Sequence, residues 1–434
     1  MEEYPQPIRK EAPDISSYRK FVIFLGGQLI SLLGSSISQF AIIWWLTITT
    51  RSPFILGLAA VLGFGSTMLV IPFSGVLVDR WSRRKVIAFV DGMEAVATVV
   101  LIVLFYTGVV EIWHILLIAV VRGIFQGFHD PAIQAIIPLL VPHEKLNTIN
   151  SFNYLGDGII NLIGPIVAAV LLAIVGTDRL ADLLWIDAAT FLVAVTPLIF
   201  TRIPSVKTEH AKLDFRKEFS EGISFIKDTK GLLSLLSAFS FANFFGTPLF
   251  ILLPLIVIDP TLLSGDQTIL AFAMSASSLG AILASLVMSR KTLFSNNVTG
   301  VYLGLLFMYI ATFVAIAGAI THNIYLFYAG ILFNGASLPI ANISSQTIWQ
   351  QAVPMQLQGR VYSVRRFIAQ VSAPIAMFFS GYFADIFSIS MVIIIATVTG
   401  VAIMLYLWFA TTLPYVEETI PNINTEQSEV PVIS

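Results

Sequence analysis

The sequence predicts an all-α protein that crosses a membrane twelve times, its helices gathered into two pseudo-symmetric bundles of six. Three observations carry that expectation. The first is composition: 56% of the 434 residues are hydrophobic and 12% are charged, against about 25% charged in soluble domains, and the mean hydropathy is +0.86. A soluble chain so composed has no way to cover its surface. The second is spacing, because apolar runs close to the roughly 20 residues that span a bilayer recur twelve times. The third is charge placement. With both termini on the cytoplasmic side, all of the 24 lysines and arginines except Arg51, Arg122 and Arg179 fall on the side that retains positive charge. An odd number of spans would scatter that bias.

Taken in order, residues 1–20 form a polar cytoplasmic segment without the apolar core of a cleavable signal peptide. The first span then serves as the insertion signal. Six spans are expected near 21–48, 54–78, 86–106, 113–140, 151–175 and 183–200, making a first bundle over 21–200. Residues 201–230 carry dense mixed charge, and Phe215, Phe219, Ile223 and Ile226 recur at helical spacing. This linker is expected to contain an amphipathic helix lying on the cytoplasmic membrane surface. Six more spans are expected near 231–257, 268–288, 299–320, 324–346, 367–387 and 390–413, making a second bundle over 231–413. The tail, 414–434, is acidic and without periodicity, so it is expected to be disordered.

The two halves repeat weakly. Gly127-x-x-x-Pro131 mirrors Gly335-x-x-x-Pro339, Val141-Pro142 mirrors Val353-Pro354, and Gly164-Pro165 mirrors Ala373-Pro374, at offsets of 208, 212 and 209 residues. Three offsets so alike argue for duplication of a six-helix unit, and parallel repeats of this kind place a substrate site between them in transporters.

The short connection after the second span reads Gly75-x-Leu77-x-Asp79-Arg80-x-x-Arg83-Arg84-Lys85. A generic basic stop signal explains the cations but neither Gly75 nor Asp79. The pattern resembles the loop between the second and third helices of the major facilitator superfamily. That resemblance implies the major facilitator fold, and a latch between bundles formed by Gly75, Asp79, Arg80, Arg83, Arg84 and Lys85. Arg122-x-x-x-Gln126-Gly127, Phe128-His129-x-Pro131-Ala132, Pro138-x-x-Val141-Pro142, Ile186-Asp187-Ala188 and Gly359-Arg360-Val361 are similar to the branch containing macrolide-efflux proteins and an enterobactin exporter. In the fifth helix, Gly164-Pro165-x-x-Ala168-Ala169 partly matches the antiporter pattern of the superfamily, which favours export. A plain packing seam accounts for it equally.

Ionisable groups inside spans are costly and mark functional candidates. They are one-sided here: Asp91, Glu94, Arg122, Asp130, Asp157 and Asp187 lie in or near spans of the first half, and Asp385 alone qualifies in the second. Glu94 follows Lys85 by nine residues, and Arg122 follows Trp113 by nine. At 1.5 Å per residue both reach about 13 Å, near the middle of a roughly 30 Å core. The functional reading has Glu94 titrating in competition with pairing to Arg122, with Asp91, Asp157 and Asp187 as further proton-coupling candidates. The structural reading is a permanent ion pair, and His129 and Asp130 fit either a proton carrier or a local hydrogen-bonding role. Gln28, Ser31, Ser35 and Gln39 trace one face of the first helix, and with Asn243, Asn334 and Gln370 they are the substrate-cavity candidates. Such stripes also bond helix to helix.

Other classes find little support. There is no cysteine, which excludes disulfides, thiolate metal sites and thiol nucleophiles. No His-Glu-x-x-His, Gly-x-Ser-x-Gly or P-loop occurs. No enzyme, cofactor, metal or nucleic-acid partner is therefore expected. The expected partners are the lipid bilayer, a small-molecule substrate and protons, for a monomer in the plasma membrane. The leading expectation is a secondary active transporter that exports amphipathic small molecules of the drug or macrolide type in exchange for protons, by alternating access. A uniporter or importer with structural carboxylates is the alternative, and an intramembrane sensor or enzyme is the alternative from another class.

Overall fold

A computed structural model describes residues 15–200, 215–290, 293–354 and 357–419. Thirteen α-helices run through them. The first six are α1 (Ile15–Thr50), α2 (Pro53–Arg80), α3 (Arg83–Tyr106), α4 (Ile112–Leu140), α5 (Leu146–Val175) and α6 (Leu180–Phe200). A shorter α7 (Phe215–Asp228) precedes α8 (Leu232–Ile258), α9 (Gln267–Arg290), α10 (Asn297–Ile320), α11 (Ile324–Ala352), α12 (Gln358–Ile386) and α13 (Ile389–Ala410). All but α7, twelve in number, are long and apolar enough to cross a membrane. Several outrun the expected spans. At 36 residues, α1 is about 54 Å long at 1.5 Å per residue, well beyond a roughly 30 Å core. Hydropathy measures the apolar slab, whereas backbone hydrogen bonding continues into polar sequence on either side.

Local chemistry sets several of the helix starts. Pro53 opens α2, where its missing N–H costs nothing. The Asn323 Oδ1 accepts from Leu326 N at 3.1 Å and begins α11, and Ser388 Oγ accepts from Met391 N at 3.3 Å and begins α13. At α4, Glu111 N donates to His114 Nδ1 at 3.0 Å.

The chain divides into two compact units. The first comprises residues 1–49 and 59–209, and the second 50–58 and 210–434. In the first, Phe21 and Phe24 of α1, Val90 of α3 and Ile136 of α4 join one buried apolar cluster. In the second, Leu235 of α8, Tyr309 of α10, Trp349 of α11 and Val361 of α12 do the same. Apolar association has no aqueous driving force in lipid, so close backbone approach carries much of the packing. The mirrored glycines supply it. A Cβ on Gly127 of α4 would lie 2.9 Å from Val70 Cβ and 3.0 Å from Thr67 O of α2. A Cβ on Gly335 of α11 would strike the Ser277 backbone of α9. In each set of six, the fourth helix thus meets the second through a glycine four residues before a proline.

Two expectations need correction. The amphipathic helix exists as α7, and its apolar face packs on protein, the core of the second unit. Ile226 is 2% exposed, Phe219 and Ile223 pack on the second unit's core, and the Phe219 ring lies 6.0 Å from that of Phe367. Gly222 lets α7 reach the α12 backbone, since a Cβ there would lie 2.9 Å from Arg360 O, and Glu221 pairs with Arg360. The rest of the linker, 201–214, lies outside the described residues. The start of the tail is ordered as well. Leu413–Tyr415 and Glu417–Thr419 form 3-10 turns, and Leu413 and Val416 are fully buried. The Glu417 carboxylate accepts from Asn297 N at 3.0 Å, Asn297 Nδ2 at 2.9 Å and Val298 N at 3.2 Å, capping α10. Apolar anchors and a cap hold this strap in place; residues 420–434 lie outside the described set.

Candidate functional site

Four helices of the first unit converge on a buried polar cluster. On α1, Gln28, Ser31 and Ser35 stand at i, i+3 and i+7; on α3, Asp91, Glu94 and Thr98 repeat the spacing; on α4, Arg122, Gln126 and His129 stand at i, i+4 and i+7. Each set therefore shares one helix face. From α6 comes Asp187, with no exposed surface.

The cluster divides into two bonded groups and one carboxylate left between them. Asp187 is saturated. Its Oδ1 accepts from Ser35 Oγ at 2.8 Å, and its Oδ2 accepts from Thr98 Oγ1 at 3.1 Å and faces Arg122 Nη2 at 3.3 Å. Three helices thus donate to one side chain of a fourth. The second group is centred on Asp91, 2% exposed. Its Oδ1 lies 3.1 Å from His129 Nε2, and its Oδ2 accepts from Gln28 Nε2 at 3.3 Å. The other nitrogen of His129, Nδ1, stands 3.8 Å from Asp130 Oδ1, and Gln126 Nε2 donates to that same oxygen at 2.8 Å. His129 therefore bridges the buried Asp91 and the exposed Asp130, whose side chain is 65% accessible.

Glu94 is the carboxylate left over. It is 7% exposed, its Oε1 is buried without a hydrogen-bond partner, and no cation lies within ion-pair distance among the described residues. The expected pairing of Glu94 with Arg122 is not formed, because Asp187 holds the guanidinium. An ionised carboxylate without a partner is expensive in such surroundings, so chemistry that neutralises Glu94 reversibly has a place to act.

Residues 16–432 match the MFS_3 family, described as a transmembrane secretion effector. The chain belongs to that family. It is 28% identical to macrolide efflux protein A of Streptococcus pyogenes over 369 residues, covering 84% of this chain and 89% of that one. It is 24% identical to the staphyloferrin A transporter of Staphylococcus aureus, over 89% of this chain and 95% of the relative. In fold it is similar to the nucleoside transporter NupG, with a TM-score of 0.69 at 14% identity, across 89% of this chain and 99% of that one. The MFS_3 member is thus a multi-pass membrane transporter of the MFS type, and not an enzyme.

The remaining candidates are scattered. Ser31 is buried beside the cluster on α1, while Gln39 is exposed. Asn243 of α8 donates to Ala369 O at 2.7 Å, tying α8 to α12. Asn334 of α11 donates to Thr312 Oγ1 at 2.9 Å and Met308 O at 3.2 Å, tying α11 to α10. Both join helix to helix, and Gln370 is half-buried on α12. Asp157 is exposed on α5, within electrostatic reach of Asp130 at the edge of the cluster. Gly164 and Pro165 are buried, and Gly164 abuts Ser36 of α1. Of the latch residues, Arg83 and Arg84 are half-buried and Lys85 exposed in the first turn of α3, whereas the side chains of Gly75, Asp79 and Arg80 lie outside the described set.

Proposed function

We propose that this MFS_3 transporter exports an amphipathic small molecule in exchange for protons by alternating access, with the acid cluster of the first unit as its proton site. The observation that carries the reading is Glu94, buried and unpartnered beside Asp187, which is paired with Arg122, and Asp91, which is bonded to His129. A proton is the balancing charge for Glu94. Asp130, His129 and Asp91 supply a path towards it, because the two imidazole nitrogens face carboxylates of opposite accessibility and Asp91 precedes Glu94 by one helical turn. Relatives named for macrolide efflux and for staphyloferrin A transport support an exported solute. We infer further that both termini are cytoplasmic, in the plasma membrane, and that Gly75, Asp79, Arg80, Arg83, Arg84 and Lys85 serve as the conformational latch implied by their sequence pattern.

The test is flux of a lipophilic dye into proteoliposomes under an imposed pH difference. Glu94→Gln is expected to abolish the response to the pH difference while leaving slow downhill flux. Unchanged gradient-driven flux in that variant refutes the reading. A facilitator without proton coupling has one observation in its favour, the saturation of Asp187 and Asp91 by neighbours. It predicts flux that ignores an uncoupler.

A further inference from the structure

Arg365 is a cation near the N-terminal end of α12, a candidate span of the second unit, with no acid to answer it. It lies seven residues inside α12, roughly 10 Å along at 1.5 Å per residue. Its Nη1 donates to Gln346 Oε1 at 2.9 Å, and its Nη2 donates to Ser345 Oγ at 3.3 Å. The guanidinium carbon sits 5.0 Å from the centre of the Trp349 ring. Every one of these partners, all from α11, is neutral. They orient the guanidinium without neutralising it, and no carboxylate approaches within 4.0 Å among the described residues. The contrast with Arg360 on the same helix, which pairs with Glu221, is direct.

A guanidinium carries five N–H groups. Two are engaged by Gln346 and Ser345, which leaves three. Three residues earlier, on the same helix face, the Tyr362 hydroxyl is buried with no hydrogen-bond partner. One helix face therefore carries spare donors, a full positive charge and an aromatic wall formed by Trp349. Ser345 and Trp349 are buried, while Gln346 is exposed, so the group is open on one side. What completes such an array is a planar or tetrahedral anion that accepts several bonds at once.

We propose that Arg365 and Tyr362 form a receptor for one anionic group, a carboxylate or a phosphate, on the second unit. The group is presented either by the transported solute or by a lipid headgroup. The receptor is separate from the acid cluster of the first unit, and its occupancy is measured without transport, so it stands or falls independently of proton coupling.

The experiment uses the full chain in lipid nanodiscs. In phosphatidylcholine discs, binding of 2-naphthoate is compared with that of its methyl ester by calorimetry. In discs containing phosphatidylglycerol, retained lipid is counted by native mass spectrometry. Arg365→Gln is expected to weaken naphthoate binding or phosphatidylglycerol retention by about tenfold or more, as loss of a charged hydrogen bond requires. Tyr362→Phe should weaken the same ligand by about three- to tenfold. That variant removes an oxygen that bonds nothing in the protein, so misfolding does not explain the loss. Arg366→Gln, at the exposed neighbouring position, is the control and should change neither. Dependence of naphthoate on Arg365 assigns the anion to the solute, and dependence of phosphatidylglycerol assigns it to the membrane. If neither ligand distinguishes the parent from Arg365→Gln and Tyr362→Phe, the proposal is wrong.

Discussion

The two units solve the same packing problem with different chemistry inside. In the first, Asp187, Arg122, Asp91 and His129 are bonded to one another and to Ser35, Thr98 and Gln28. In the second, the buried side chains are neutral and most are hydrogen-bonded within the unit: the Asn334 amide nitrogen to Thr312 and Met308 O, and Ser380 and Thr397 to carbonyls of their own helices, while the Asn334 Oδ1 and the Tyr362 hydroxyl have no partner. The second unit serves as an internal control. It holds six helices together with no buried acid–base pair among its described residues, so packing a six-helix unit does not call for ionised side chains. A buried ion pair is weak support for stability against a well-packed apolar substitute. Packing alone therefore does not account for the charges of the first unit.

That contrast can be broken or sharpened by substitution, with unfolding in detergent as the common readout. The largest effect is expected from Asp187→Ala, which strands Arg122 and should cost about 3–5 kcal/mol. Adding Arg122→Met with Asp187→Leu should recover most of that loss, while gradient-driven flux stays low. A double variant no better than the single one would make the charges structural. Next comes Glu417→Ala, in the second unit, where losing the cap on α10 should cost about 1–2 kcal/mol. Asn334→Ala should cost about 1 kcal/mol, since Thr312 keeps its bond to Met308 O. A loss as large as that of Asp187→Ala would erase the distinction between the units. Glu94→Gln should have the smallest effect, below about 0.5 kcal/mol, because Oε1 has no partner to lose. Its consequence should fall on the pH response alone.

Much of this arrangement is legible in the sequence, and the remainder fails for identifiable reasons. Helix number follows from apolar length, and the acid cluster was already confined to the first half by Asp91, Glu94 and Asp187. Depth along a helix is also readable, which placed Glu94 and Arg122 at one level. Rotation about the helix axis is not. Whether Arg122 faces Glu94 or Asp187 depends on the packing of α6, whose acid lies 65 positions further along the chain. His129 carried a usable signal that deserved more weight, since it sits seven residues after Arg122 and so on its face. The apolar face of α7 said that something covers it, but not whether lipid or protein does. Gly222 in the middle of that face was the hint of a close backbone. The cap at Glu417 had no local signature, because its partners are Asn297 and Val298.

That cap joins positions 120 residues apart. At a synthesis rate of about 5–20 residues per second, the amides that open α10 wait on the order of ten seconds for the carboxylate that closes them. A ribosome that stops just short of Glu417 would release a chain with every spanning helix present and one helix start still bare. Completion of the second unit is thereby tied to a residue beyond its last spanning helix, and a product truncated there would leave the amides that open α10 without their acceptor.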